Sequence, residues 1–231
     1  MSLVIGHRGA PLVAGENTVA SFRAARALGA DGVELDVRRT ADGRMAVIHD
    51  AHLPDGRAVV ETPRAELPDG IPELAEVLDA CAGLALVNVE IKNWPADVDF
   101  DETLAFVDAV VDALVSRPAA EREHLVVSCF HLPSVDRAKE LAPDLVTGWL
   151  VIGGDDLIDQ VVGHGHQAIH PHHAFVTPHL VEQAHAEEVA VNTWTCDEPD
   201  RIAWLADVGV DGIVTNAPDV ALTALGRNGS G

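Results

Sequence analysis

Eight short apolar runs, rich in β-branched residues, alternate along this chain with eight longer stretches of helical period. Few folds accept that order. The runs occupy residues 3–7, 32–37, 84–92, 125–130, 147–152, 167–171, 189–195 and 212–216. Runs of four to eight such residues read as strands. Between them, stretches such as "NTVASFRAARALGA" and "DETLAFVDAVVDALVSR" place apolar residues at helical spacing. Asn17 or Thr18 would cap the first helix, and Pro72 and Glu73 open the second. Strand followed by helix, eight times, predicts an α/β fold of the (β/α)8 TIM barrel type. A doubly wound open sheet is the alternative. A chain of 231 residues suits one such domain. The reading gives a single domain over 1–225, a short capping insertion over 49–70 and a flexible tail over 226–231.

One segment breaks the alternation. After "ELDV" comes "RRTADGRMAVIHD", with Asp42-Gly43 between two extended stretches. That pair is a hairpin signal. The second strand therefore runs on past the barrel rim, turns, and returns His49 and Asp50 to the mouth.

The stretch "GVELDV" is electrostatically odd. Side chains two apart on a strand share a face, so Glu34 and Asp36 point the same way from a strand whose other face is apolar. Two like charges in a partly buried place are costly unless a positive group lies between them. Barrel active sites gather at the carboxyl ends of strands. There the reading places His7, Arg8 and Gly9 of the first strand, Glu34 and Asp36 of the second, His49 from the hairpin, and Glu90 and Lys92 of the third. Three carboxylates without cysteine are hard oxygen ligands, suited to one divalent cation, Mg²⁺ or Ca²⁺. The arginine fork matches phosphate oxygens, and Gly9 lets the backbone approach closely. Two histidines can serve as acid and base near neutral pH.

Composition narrows the partners. Net charge is −22 with a pI near 4.6, a field that repels nucleic acid and anionic membranes. Of two lysines, Lys92 and Lys139, one falls in the candidate site. This local positive spot in an acidic chain points to a small phosphorylated substrate. No apolar run approaches the roughly 20 residues of a membrane span, and no secretory signal is evident, so a cytoplasmic location is expected. Cys81, Cys129 and Cys196 lack metal-binding spacing and read as buried small hydrophobes. His164, His166, His170, His172 and His173 cluster, and a transition-metal site built from them is a rival reading; the intervening glycine and proline favour loops and surface histidines instead, with His170, at the end of its strand, a candidate for substrate contact.

The blocks "HRG", "ENT", "SF", "GADGVELDVRRTADGRMAVIHD", "IPELAEVL", "VEIK", "VSCF" and "VNTWTCDEPDRIAWLADVGVDGIVTNAPD" resemble, in order, the glycerophosphodiester phosphodiesterase family. The resemblance covers nearly the whole chain. It implies a TIM barrel that uses a divalent cation to hydrolyse glycerophosphodiesters to glycerol 3-phosphate and an alcohol. It implies His7 and His49 as the acid/base pair, Glu34, Asp36 and Glu90 as metal ligands, and Arg8 and Lys92 near the phosphate. It implies Glu16 behind them and Trp194 as an apolar wall near the glycerol. The chain departs from the family pattern in three places. It lacks a threonine-rich stretch after His49, reads "TNAP" with Asn216 for the usual acid, and has "SCF" for "SSF". A lysophospholipase D-like reaction on the same barrel is one rival reading; a non-catalytic barrel that binds a phosphorylated ligand is another. The acid/base pair weighs against the second, since a pure binder needs none. The alcohol released and the oligomeric state stay open at this stage.

Overall fold

The computed structural model describes residues 1–227. Strand β1 (Leu3–His7) leads through α1 (Val19–Ala27) to β2 (Gly32–Arg39), and a hairpin returns as β3 (Met45–Val47). Helix α2 (Leu74–Cys81) precedes β4 (Leu86–Ile91); α3 (Ala105–Val115) and the short α4 (Ala119–Arg122) precede β5 (Leu125–Cys129). The chain continues through α5 (Leu132–Leu141), β6 (Val146–Val151), α6 (Leu157–Gly163), β7 (Ala168–Pro171), α7 (Pro178–Ala186), β8 (Ala190–Thr193), α8 (Pro199–Asp207), β9 (Gly212–Thr215) and α9 (Pro218–Ala224). The parallel order is β1-β9-β8-β7-β6-β5-β4-β2, and pairing of β1 with β2 closes the ring. The closed (β/α)8 barrel is thus the fold, and the open sheet is excluded. Strand β3 lies outside the ring, antiparallel to β2, with Val37 opposite Val47.

Strand alternation sorts the side chains. Val33, Leu35 and Val37 of β2 and Val87, Val89 and Ile91 of β4 pack outward against Phe22, Ala25, Leu74 and Val77 of the helices. Every one of these is buried, and each large side chain contributes about 1.5–3 kcal/mol by leaving water. Facing the barrel axis, Glu34 lies beside Asn88 and Asp36 beside Glu90. The interior is polar toward its mouth: Asn88, Ser128, His170 and Asn192 are all buried there.

Local signals place the ends. Thr18, rather than Asn17, caps α1, its hydroxyl accepting from Ser21 N. Glu73 and Glu76 form a capping box at α2. Helix α3 starts later than its sequence suggests, because Asp101 caps the turn by accepting from Thr103 N and Phe106 N. Two expectations need correction. His166 is buried rather than a surface histidine, whereas His170 does lie on a strand, β7, and is buried there. Arg227, assigned to the tail, is held by Asp31 through two contacts of 2.7 Å. The rest of that tail, 228–231, lies outside the described residues.

The turn after β1 is tight. Gly9 has φ +91°, and a Cβ there would stand 2.5 Å from Ser21 Oγ and 2.6 Å from a backbone carbon. Only glycine fits. Gly9→Ala should therefore lose at least about 1 kcal/mol of stability, read as a lower urea midpoint at unchanged m value.

Candidate functional site

Each strand around one half of the mouth contributes a polar end. Glu34 and Asp36 come from β2, Glu90 from β4, and Lys92 from the residue just past it. One carboxylate oxygen from each of Glu34, Asp36 and Glu90 lies within 4.8 Å of the other two. All three residues are buried. The structure also brings in His7 at the end of β1, Arg8 just past it, His49 after β3, and Trp194 after β8; with Asn88, Phe130 and His170 they line one cavity of about 120 Å³. The sequence reading of the mouth therefore assembles as one site. Glu16 stands just behind it, its two oxygens each 3.0 Å from Arg8 Nη1.

The three acids are not equivalent. Burial pushes the Glu34 carboxyl well above its ordinary range, and the neighbouring charges of Asp36 and Glu90 push it further. Its Oε1 is buried without a hydrogen-bond partner, while Oε2 accepts from Arg8 N at 3.0 Å. Burial also raises Glu90, against the opposing pull of Lys92. Asp36 goes the other way. Burial disfavours its charge, but Lys92 at 3.5 Å, Arg8 Nε at 3.2 Å and the Asn17 amide at 2.8 Å together hold it ionised. Lys92 donates to Glu90 at 2.7 Å, and the two acids keep its charge despite burial.

The histidines are oriented by partners. His7 Nδ1 lies 2.8 Å from Asn216 Oδ1. The Asn216 amide donates to Asp197 at 2.8 Å, which fixes its oxygen toward the ring. His7 therefore donates from Nδ1, and Nε2 is the nitrogen left for the cavity. Glu34 Oε2 stands 3.9 Å from it. Burial first, and Arg8 second, lower the His7 imidazole below its ordinary range. His49 Nδ1 pairs with Asp50 at 2.7 Å. The His49 backbone carbonyl accepts from Arg38 Nε, and Arg38 is clamped by Asp97 and Asp99. A second cavity, of about 310 Å³, opens beside the first and is lined by Arg38, His49, Lys92, Trp94, Asp97 and Phe130. Trp94, Phe130 and Trp194 meet edge to face, with centroids 5.8 and 5.3 Å apart.

Four partners escaped the sequence reading: Asn17, Arg38, Asp197 and Asn216 in its orienting role. Arg38 and Asp97 have no local pattern, because their pairing spans 59 residues. Asn216 was visible as a departure from the family pattern, but its meaning depends on Asp197. The cysteines are as expected: all three are free and buried, and burial pushes the Cys129 thiol up to about 11.

Ionisable groups gathered at the carboxyl mouth of a closed (β/α)8 barrel place the chain among the barrel enzymes. Residues 7–220 match the family described as Glycerophosphoryl diester phosphodiesterase family. The chain is 29% identical to the glycerophosphodiester phosphodiesterase of Caldanaerobacter subterraneus subsp. tengcongensis, covering 99% of each chain. It is 30% identical to that of Bacillus altitudinis, over 96% of this chain and 97% of the other. Among solved structures, an Oleispira antarctica phosphodiesterase in complex with the product sn-glycerol-3-phosphate superposes with a TM-score of 0.84. It is 25% identical and covers 98% of this chain and 97% of the other. The chain belongs to the glycerophosphoryl diester phosphodiesterase family. Among the described residues, no helix is long and apolar enough to cross a membrane.

His170 supplies a test of the buried mouth. Burial lowers its imidazole from 6.5 to about 4. Between those values the unfolded chain binds a proton that the folded chain does not, so stability falls as pH falls from about 6.5 to about 4. The gap corresponds to roughly 3 kcal/mol. His170→Asn should flatten that part of the pH–stability curve by urea unfolding; an unchanged slope would count against a neutral buried ring.

Proposed function

We propose that the chain hydrolyses glycerophosphodiesters to glycerol 3-phosphate and an alcohol, with one divalent cation, Mg²⁺ or Ca²⁺, held by Glu34, Asp36 and Glu90. The observation that carries this reading is the buried trio of carboxylates with Glu34 Oε1 left without a partner. An unpaired oxygen among like charges suits a cation better than it suits a closed salt-bridge network. All-oxygen donors fit Mg²⁺ or Ca²⁺. When bound, the cation supplies Lewis-acid polarisation of the phosphoryl group and neutralises charge as it develops.

The chain's own residues do the rest. Arg8 and Lys92 bring positive charge to a phosphate in the 120 Å³ cavity. Glu16 keeps the Arg8 fork turned to the mouth. His7 and His49 act as the acid/base pair. One takes the proton of the nucleophile, which is water or the adjacent glycerol hydroxyl; the other protonates the leaving alkoxide. Asn216 and Asp197 hold His7 in the tautomer with Nε2 available as acceptor. Asp50 does the same for His49. Trp194 walls the glycerol side. The wider cavity flanked by Trp94 and Phe130 takes the alcohol.

Glycerophosphocholine and glycerophosphoethanolamine, incubated with Mg²⁺, Ca²⁺ or EDTA, should give metal-dependent glycerol 3-phosphate. No release from either would overturn the proposal. His7→Ala should lower the rate by roughly 10²–10⁴ while Mg²⁺ binding by calorimetry is retained. A variant of near-native rate would remove His7 from the chemistry. Asp36→Asn should weaken calorimetric Mg²⁺ binding at least about tenfold, because the most firmly ionised ligand is lost. Unchanged affinity would place the cation elsewhere.

A further inference from the structure

A second set of ligating side chains lies near the N-terminal ends of the strands, away from the site just described. Asp136 projects from α5, His164 follows the last residue of α6, and His166 precedes β7. One ligand atom from each lies within 4.8 Å of the other two. Asp136 Oδ1 is the shared point, 2.8 Å from His164 Nδ1 and 3.1 Å from His166 Nε2. The two imidazoles are near parallel, with centroids 6.1 Å apart. The His166 side chain is fully buried, whereas His164 and Asp136 stay partly open to solvent.

Hydrogen-bond directions around His166 define what its inner nitrogen offers. Thr147 N donates to Gln167 Oε1 at 3.1 Å, so that atom is the amide oxygen. The Thr147 hydroxyl donates to the same oxygen at 3.2 Å. Its proton is thus committed, and at the 3.0 Å contact with His166 Nδ1 the ring must be the donor. Burial disfavours the doubly protonated ring, and in the neutral ring Nε2 carries a lone pair aimed at a carboxylate oxygen 3.1 Å away. Two lone pairs at that distance repel. A positive centre between them removes the conflict, and a second imidazole nitrogen already converges on the same oxygen. The arrangement at His166, with its outer nitrogen bonded to a hydroxyl, is the usual support of a metal-bound histidine.

We propose that Asp136, His164 and His166 form a second metal site, selective for a transition ion of the zinc type. Two imidazoles and one carboxylate suit Zn²⁺, Co²⁺ or Ni²⁺ and disfavour Mg²⁺ and Ca²⁺. Ligand atoms around tetrahedral zinc stand about 3.3 Å apart, given zinc–ligand bonds of about 2.0 Å, so the two spacings to Asp136 need to open by only a few tenths of an ångström. Solvent at the exposed side of His164 supplies the fourth position. The ion would clip α5 to the turn between α6 and β7. The N-terminal face of a (β/α)8 barrel serves stability rather than chemistry, so this site is structural.

The test uses the full chain, stripped with chelator, and Zn²⁺ alone. Calorimetry should show a tight equivalent of Zn²⁺ that His164→Ala and Asp136→Asn each weaken at least about tenfold. Asp36→Asn, in the carboxylate cluster, should leave that equivalent in place. Imidazole ¹⁵N spectra should shift at His164 Nδ1 and His166 Nε2 on adding Zn²⁺. His164 is partly exposed, so its removal leaves the fold intact, which circular dichroism confirms. Equal Zn²⁺ binding in all variants, or loss only in Asp36→Asn, would overturn the proposal. So would His166 protonated at both nitrogens in the stripped chain and unmoved by Zn²⁺, which would mark a plain ion pair. Glycerophosphodiester turnover does not enter this readout, so failure here leaves the proposed function standing, and the reverse.

Discussion

The rest of the mouth is arranged around one buried charge, that of Asp36. It sits between Glu34 and Glu90 with almost no exposure, where an unpaired carboxylate would be costly. Three partners hold it ionised. Lys92 comes from the end of β4, Arg8 from the turn after β1, and Asn17 from the approach to α1. Arg8 and Asn17 stand at the two ends of the loop between β1 and α1, and Lys92 opens the loop after β4, so the one charge ties two loops to one point. The same pairing sets the inequality of the acids. With Asp36 ionised, its field adds to burial and raises Glu34 and Glu90. Glu34 and Glu90 are therefore harder to ionise than Asp36 until something positive arrives.

Barrel closure makes this convergence possible. Parallel register sets Glu34 beside Asn88 and Asp36 beside Glu90, and pairing of β1 with β2 sets His7 beside Glu34. Three strands thus deliver their ends within one small volume. The turn that follows β1 adds strain of a useful kind. Arg8 has φ +54° and Gly9 φ +91°, which lets the Arg8 N–H point at Glu34 while its side chain reaches Asp36. The motif "ENT" is equally dense. Glu16 holds Arg8, Asn17 holds Asp36, and Thr18 caps α1.

Local signals in the sequence carried a large part of this arrangement. Period-two alternation in "GVELDV" and "VNVEI" was enough to put three acids on one inner face, because alternation is a property of the strand itself. The hairpin at Asp42-Gly43 was legible for the same reason, since its turn chemistry is local. Pairings between distant residues were not legible. Arg38 reads as one more polar residue on a strand until Asp97 and Asp99 close on it. His166 reads as a loop histidine, because glycine punctuates its segment, and His170 reads only as a strand end, with nothing local to bury it. Their burial is decided by Thr147 and Asn192 on other strands, reached through hydrogen bonds that span 19 and 22 residues.

Asn216 shows how a departure from a family pattern can keep its physical role. A carboxylate beside His7 would both orient the ring and hold its proton. Asn216 keeps the orientation, since its oxygen accepts from Nδ1, but it brings no charge to the ring. The charge has moved one residue further out. Asp197 accepts from the Asn216 amide, from its backbone N–H and from Thr215, and these bonds draw its carboxyl below the ordinary range although burial opposes them. His7 thus has a neutral neighbour backed by an anion, rather than an anion in contact. The result is a ring whose tautomer is fixed while burial and Arg8 keep its affinity for a proton low. Such a ring is held neutral at rest more firmly than a free imidazole, with Nε2 as its open acceptor.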